Sequence, residues 1–316
     1  MKKGKLLTLL PLMLLPFAIT GCNGNKKTIG ICQFVKFEAL DKASEGFMDA
    51  VKKGLGEKNV TFDLQIASED PAICSTICNT FVSKNVDLIM ANATPAVQAA
   101  YNSTNDIPIL GTSVTEYGVA LSIKDFNGTV GGNVSGTSDI APLEEQAAMV
   151  KELVPDAQSV GLLYCSAEPN SVYQVERVEA ALKKDGLTTK RITFSETNEL
   201  QGTLTANAAG LDALYIPTDN TCAKNTSIID TVCRENRLPV ICGEEGMCKD
   251  CGIATLSIDY YALGVKTGEM AVEILKDGKD ISKMPIAYDE NPSKKFNKEL
   301  CDLLNITVPD GYAQIS

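Results

Sequence analysis

The chain contains no histidine and no tryptophan, and aromatic residues of all kinds make up only 6% of its 316 positions. Without histidine there can be no Ser-His-Asp triad, no Cys-His dyad and no His-ligated metal site. The lack of tryptophan counts against a sugar site, which usually stacks its ligand on aromatic planes. The glycines between positions 128 and 136 do not form a GxGxxG turn after a strand. A dinucleotide therefore has no cradle, and no cofactor is expected. Basic residues are also scarce: 29 Lys and Arg stand against 40 Asp and Glu, a net charge of −11. Such an acidic surface argues against nucleic acid or anionic lipid as the main partner. What remains is ordinary globular composition, 44% hydrophobic and 22% charged, at a length that suggests about two domains.

The first residues are a targeting segment. Lys2, Lys3 and Lys5 precede an apolar run from Leu6 to Ile19, which is interrupted by Pro11 and Pro16 and is too short to span a bilayer comfortably. It ends in Ile19-Thr20-Gly21-Cys22. That tetrad resembles the bacterial lipobox, which implies lipid transfer to the Cys22 sulfur and cleavage after Gly21. Residues 1–21 are thus expected to be a lipoprotein signal peptide and 22–27 a lipidated polar tether. An ordinary cleaved signal with an incidental cysteine is the alternative.

From Thr28 onward, short apolar runs alternate with segments of helical periodicity. Thr28–Cys32, Val60–Ile66, "VDLIMANA" and "IPILGTS" are predicted strands. Residues 40–54 and 72–84 are predicted helices, and Thr94 and Pro95 are expected at the N-cap and first position of another. "FNGTVGGNVSGTSD" breaks the pattern and is expected to cross between lobes. The second half repeats the first, with strands at "SVGLLY", "TTKRITF", "DALYIP", "LPVICG" and "GIATLSI". A long helix from Tyr260 is predicted to end at Gly278, and "SKKFNKELCDLLN" to form the last helix. Strand–helix alternation of this kind predicts an α/β protein of two similar Rossmann-like lobes with parallel sheets, joined by a hinge. The expected division is 28–137 plus 258–282 for the N-terminal lobe and 138–257 plus 283–316 for the C-terminal lobe.

In open α/β sheets, ligands lie beyond the carboxyl ends of the strands. The residues following each predicted strand are therefore the candidate site. They are Gln33 and Phe34, Ser68 and Glu69, Thr94 and Pro95, Thr115 and Glu116 in the first half. In the second half they are Glu168 to Ser171, Ser195, Thr218-Asp219-Asn220, Glu244 and Glu245, Asp259 and Tyr260. The set offers hydroxyls, amides, acids and aromatics, but no nucleophile–base pair. Asp219 can serve a ligand cation or simply cap the next helix, since Asp favours such positions. Glu244 and Glu245 are expected in a solvated loop.

Several stretches, among them "IGICQFVKFEALDKASEGFMDAV", "VDLIMANATPAVQAA", "VGLLYCSAEPNSVYQVE", "ALYIPTDNT" and "LSIDYYALGVKTGEMAVEIL", together resemble the tryptophan-type substrate-binding lipoproteins of ABC importers. The resemblance spans roughly residues 26–309. It implies a type I periplasmic-binding-protein fold, no catalysis, closure on an amino acid, an ABC permease as partner, and a monomer. Under that reading the ligand-binding set is Gln33, Phe34, Thr94, Pro95, Thr115, Asn170, Ser171, Thr218, Asp219, Asn220, Asp259 and Tyr260. Asp219 would take the ligand ammonium, helix N-termini at Thr94 and Asn170-Ser171 its carboxylate, and Phe34, Tyr260 and Tyr117 its side chain. Two stretches depart from the family: Lys36-Phe37-Glu38 stands where acid-His-Pro is expected, and Thr115-Glu116-Tyr117 where Thr-Asp-Pro is expected. A sugar, a nucleoside, an aliphatic amino acid or a cleft hydrolase using Ser, Asp or Glu remain alternatives.

Ten cysteines follow Cys22. Cys74 and Cys78 are four apart on a predicted helix, a spacing that suits packing on one face. Cys242, Cys248 and Cys251 give three thiolates without the fourth ligand a structural zinc wants, so no metal is expected. A loop disulfide or free thiols are the remaining readings.

Overall fold

A computed structural model describes residues 26–289 and 291–315; Cys22 and the targeting segment lie outside them. The chain opens with β1 (Lys27–Gln33), α1 (Glu38–Leu55), β2 (Val60–Ile66), α2 (Pro71–Ser83), β3 (Leu88–Asn92), α3 (Thr94–Ser103), β4 (Ile109–Val114), α4 (Tyr117–Ala120) and β5 (Val134–Ser138). It continues with α5 (Leu143–Leu153), β6 (Ser159–Cys165), α6 (Pro169–Lys184), β7 (Thr188–Phe194), α7 (Thr197–Ala208), β8 (Ala213–Ile216), α8 (Asn220–Lys224) and α9 (Thr226–Asn236). The remainder is β9 (Val240–Cys242), α10 (Glu245–Cys251), β10 (Ala254–Ser257), α11 (Tyr260–Asp277), β11 (Ala287–Tyr288), β12 (Ser293–Phe296), α12 (Lys298–Leu304) and β13 (Ala313–Gln314).

Two sheets result, in the orders β11-β5-β4-β3-β1-β2 and β13-β12-β10-β9-β8-β6-β7. All pairings are parallel except β10 with β12. The central strands are buried along their whole length: Leu88–Asn92, Ile109–Val114 and Ala213–Ile216 have no exposed position. That is why they read as continuous apolar runs rather than alternating ones.

The chain passes between the lobes three times, and the first and last passages fall later than expected. "FNGTVGGNVSGTSD" is not a free crossover: its second half forms β5 beside β4, so the first passage follows Ser138. Residues 283–288 stay with the first lobe, because β11 pairs with β5; the last passage comes after Tyr288. Ser293–Phe296, expected as helix, is instead strand β12 along β10. The strand's two lysines are held by carboxylates, Lys294 on Glu152 and Lys295 on Glu245.

Helix α11 brings the chain back from lobe two and lies along α1. Small residues let the two backbones meet. A Cβ on Gly264 would fall 2.0 Å from the Ala43 carbonyl oxygen, and one on Gly46 would fall 2.2 Å from that of Tyr261. Gly278, at φ 70°, ends α11 in the left-handed conformation its sequence predicts. This packing fixes Tyr260, the first residue of α11, between the two lobes.

Candidate functional site

The carboxyl ends of both sheets face one another across a cleft. Residues of both lobes enclose a small cavity lined by Phe37, Leu40, Ser113, Thr115, Asp139, Asn170, Thr218, Asp219, Asn220, Ala223, Glu244 and Tyr260. Six of the twelve residues expected from sequence are there: Thr115, Asn170, Thr218, Asp219, Asn220 and Tyr260. The other six are not among the lining residues, and each has a physical reason.

Gln33 turns its amide inward. Nε2 donates to the Val35 carbonyl at 2.9 Å and to Asp41 Oδ1 at 2.6 Å, while Oε1 accepts from Ser44 Oγ at 2.7 Å. Phe34 packs in the core of the first lobe. Thr94 and Pro95 are the first two residues of α3 and buried, with Ala93 in the N-cap place at φ 88°. Their position is thus one residue further into the helix than expected. Ser171 is buried beneath Asn170 and accepts from Asn170 Nδ2 at 3.3 Å. Asp259 caps α11, accepting from Ala262 N at 3.0 Å. Tyr117, considered for the ligand side chain, is a core residue whose hydroxyl donates to the Thr137 carbonyl.

Asp219 lines the cavity, yet both of its oxygens serve the backbone. Oδ1 accepts from Cys222 N at 2.8 Å, capping α8, and Oδ2 accepts from Cys165 N at 2.7 Å, tying the ends of β8 and β6 together. Burial, and then the charge of Glu168, push its carboxyl up to about 7. In the described structure the capping role, not an unpaired carboxylate, occupies Asp219. Glu168 is buried too and anchors the same corner. Its oxygens accept from Asn220 N (3.0 Å), Asn220 Nδ2 (2.7 Å), Thr221 N (2.9 Å), Thr221 Oγ1 (2.8 Å) and Asn170 Nδ2 (3.2 Å).

Of the acids lining the cavity, the one with a free oxygen is Asp139. It stands at the first passage between lobes, directly after β5, and is 5% exposed. Oδ2 accepts from the Tyr260 hydroxyl at 3.0 Å; Oδ1 is buried and has no partner in the protein. Burial raises its carboxyl to about 6. Two more unpartnered buried oxygens line the cavity, Asn170 Oδ1 and Ser113 Oγ. The Asn170 amide is oriented by its own network, since the two hydrogens of Nδ2 are shared among three oxygens, of Glu168, Ser171 and Thr218. Ser113 sits in the irregular stretch of β4 between Gly111 and Val114 with φ at 55°. Bulges and left-handed residues of this kind re-aim a side chain, and both concentrate at binding sites.

Glu244, expected in a solvated loop, is 3% exposed. It caps α10, accepting from Gly246 N at 2.7 Å and from Met247 N, and burial pushes its carboxyl up to about 7. "CGEEGMCKDC" is therefore the end of β9, a cap and a helix rather than an open loop. Its three cysteines are buried and unpaired, as are the other seven among the described residues. No group of metal-ligating side chains occurs among those residues, and none of their helices is long and apolar enough to cross a membrane.

Sequence reasoning missed Asp139 because β5 was missed. The rule of looking just past each strand names Asp139 as soon as Val134–Ser138 is a strand. Phe37 lies in the stretch that departs from the family; it occupies the N-cap place of α1 and forms an apolar wall with Leu40 and Tyr260. Gln174, 2% exposed on α6, carried no signal at all, since a helical glutamine is usually a surface residue.

Two parallel-sheet α/β lobes closing over one buried cavity define a protein of the type I periplasmic-binding class. The chain belongs to the ABC transporter substrate binding protein family, whose profile matches residues 28–314. Its relatives include a tyrosine-binding protein of Clostridioides difficile, 37% identical over 306 residues that cover 91% of this chain and 88% of the relative. A Streptococcus pneumonia ABC-domain structure in complex with L-Trp is 31% identical, covers 92% of this chain and all of its own, and superposes with a TM-score of 0.87. A ligand-free, open structure of a substrate-binding protein with adhesive properties from Clostridium difficile is 34% identical over 92% of this chain and 99% of its own, but superposes at 0.71. The lobe arrangement described above is thus nearer to the L-Trp complex than to the open form, although sequence identity runs slightly the other way. The protein is a substrate-binding protein of an ABC transporter, extracytoplasmic like its family.

Proposed function

We propose that this protein captures a free amino acid with an aromatic side chain, tyrosine or tryptophan, and delivers it to an ABC permease by hinge closure without chemical change. The observation that carries the reading is the trio of unpartnered buried oxygens, Asp139 Oδ1, Asn170 Oδ1 and Ser113 Oγ, in one cavity. Buried polar atoms are nearly always satisfied, so three orphans in one place call for a ligand with matching hydrogens. An ammonium has three donors and no acceptor. It can give to Asp139 and Asn170, while the Ser113 hydroxyl is free to donate to the carboxylate. No lysine or arginine lines the cavity, so a cationic head meets acids alone. Phe37, Leu40 and Tyr260 supply the apolar part of the lining. Tyrosine and tryptophan relatives support the aromatic choice.

The chain's missing tryptophan makes the test direct. Titrating the protein into L-tryptophan, after unfolding and refolding to strip carried ligand, should shift and polarise indole emission that belongs wholly to the ligand. L-tyrosine should reverse the signal by competition. A flat titration with both amino acids would remove the aromatic reading.

The lipobox resemblance at Ile19–Cys22 supports anchoring of the mature chain by a lipid on Cys22. A Cys22→Ser variant should move from the membrane to the soluble extracytoplasmic fraction. Unchanged membrane retention would sink the anchor.

A further inference from the structure

Two sets of contacts join the lobes through side chains, Gln174, Glu69 and Lys224, that do not themselves line the cavity. The deeper one centres on Gln174 of α6. Nε2 donates to Thr218 Oγ1 at 2.6 Å, and its second hydrogen is shared between Thr115 Oγ1 across the cleft and the Asn170 carbonyl of its own helix, both at 3.2 Å. Oε1 accepts from Thr218 N at 3.2 Å, which fixes the amide's orientation because a backbone N–H can only donate. The two threonine hydroxyls lie 3.3 Å apart, Thr115 in lobe one and Thr218 in lobe two. The second set is at the rim. Lys224 Nζ, at the end of α8, is 3.3 Å from Glu69 Oε2 of lobe one. Glu69 follows Ser68, and both hold left-handed backbone, with φ at 70° and 54°. The turn is held by Glu69 N donating to the Phe34 carbonyl at 3.1 Å and Asp70 N to that of Ala67 at 3.1 Å. Two successive strained residues persist only where the surroundings fix them. Glu69 Oε1 is buried without a partner, while the other oxygen makes the contact across the cleft.

We infer that Gln174, with the Glu69–Lys224 pair, is a clasp by which the protein favours its own closed form whether or not a ligand fills the cavity. Gln174 is the positioning residue of that clasp. When the lobes part, Thr115 leaves Gln174 and Lys224 leaves Glu69. These bonds therefore contribute to one state only, and only such differential contacts move a two-state equilibrium. The ligand then meets a population already shifted toward closure, and must break the clasp to leave. The inference rests on closure, not on which amino acid binds.

Spin labels on cysteines introduced at the exposed Ser75 and Ser227, one on each lobe, report the distance between lobes in the full chain. The ten native thiols among the described residues are buried and do not compete. Without ligand, the parent protein should show a short-distance, closed population. Gln174→Leu should reduce it about tenfold, the effect of one buried hydrogen-bonded group. Lys224→Glu should reduce it about threefold, as fits a partly exposed pair, and adding Glu69→Lys should restore it. Release of L-tryptophan should quicken by the same factors, with association little changed. The inference is overturned if the ligand-free parent has no closed population, if Gln174→Leu leaves it unchanged while lowering thermal stability, or if the double charge reversal stays open. Should distances respond as expected while L-tryptophan fails to bind, the clasp stands and the aromatic amino-acid reading falls.

Discussion

Replacing Asp139 with asparagine should weaken amino-acid binding by about a hundredfold or more, while the cavity keeps its shape. The change removes one charge and substitutes an NH₂ group for an oxygen. Whichever way the amide turns, an ammonium loses a charge-assisted bond in a water-poor site, a loss typically of about 2–5 kcal/mol. The Tyr260 hydroxyl can still donate to the remaining oxygen, so the hinge contact at 3.0 Å survives. Calorimetric titration with L-tryptophan or L-tyrosine measures the effect; a change under about fivefold would place the ammonium elsewhere. The pH dependence gives an independent check. Burial raises the Asp139 carboxyl to about 6, above the usual aspartate value of about 3.9. Affinity for an ammonium should therefore be full above about pH 6 and fall as pH drops through it, by at most about tenfold per pH unit for one site. Asp219 and Glu244, raised to about 7 in the same cavity, broaden the onset. Asp139→Asn should remove the part of the slope that Asp139 contributes. For the unliganded fold the sign is opposite. Between about pH 4 and pH 6 the folded state binds more protons at Asp139 than the unfolded state. The group's contribution to stability therefore falls as pH rises through that window.

Glu168→Ala should lower the stability of the fold by about 3–5 kcal/mol, the range for breaking a buried charged network by removing one member. The carboxylate accepts five hydrogen bonds, two of them from the backbone N–H groups that open α8. Alanine leaves those donors buried without acceptors, and an unmet buried donor costs more than a formed bond contributes. Melting should drop by roughly 6–15 °C for a chain of this size, measured by calorimetry or far-ultraviolet dichroism. Glu168→Gln is the informative intermediate. It keeps one acceptor oxygen but turns an NH₂ group toward the other donors, so it should fall between parent and alanine. Without the Glu168 charge, Asp219 also ionises more readily, because that charge is the second cause of its raised pKa. A loss under about 1 kcal/mol in Glu168→Ala would show that water or neighbouring side chains replace the carboxylate without cost. Asn170 and Asn220 both depend on Glu168 and both line the cavity, so ligand affinity should fall as well.

The two-lobed architecture was legible because its causes are local. Apolar runs such as "DLIMAN" and "ALYI" are buried on both faces, which is what parallel strands between helices require, and periodic stripes at 40–54 and 260–276 make helices of any such chain. Gly278 ended α11 for a reason contained in one residue, the absence of a Cβ. The missed elements lacked that local signature. β5, "VSGTS", carries small polar side chains and is a strand because β4 and β11 supply its hydrogen bonds; Ser293–Phe296 is a strand because β10 lies beside it.

The candidate site divides along the same line. The sequence by itself determined which positions stand past the strand ends, and therefore brought Thr115, Asn170, Thr218, Asp219, Asn220 and Tyr260 to the cleft. It could not decide which carboxylate keeps a free oxygen, because that depends on what neighbours donate. Glu244 is taken up by a helix N-terminus only a few residues away, Asp219 by one such N-terminus and by the distant Cys165 N, and Glu168 by groups far along the chain, at Asn220 and Thr221. Asp139 keeps one oxygen because the hydroxyl that donates to the other comes from α11, 121 residues further along the chain. Periodicity and strand-end position are properties of a segment and survive in the sequence. Satisfaction of a buried oxygen is a property of everything packed around it, and only the tertiary structure decides it.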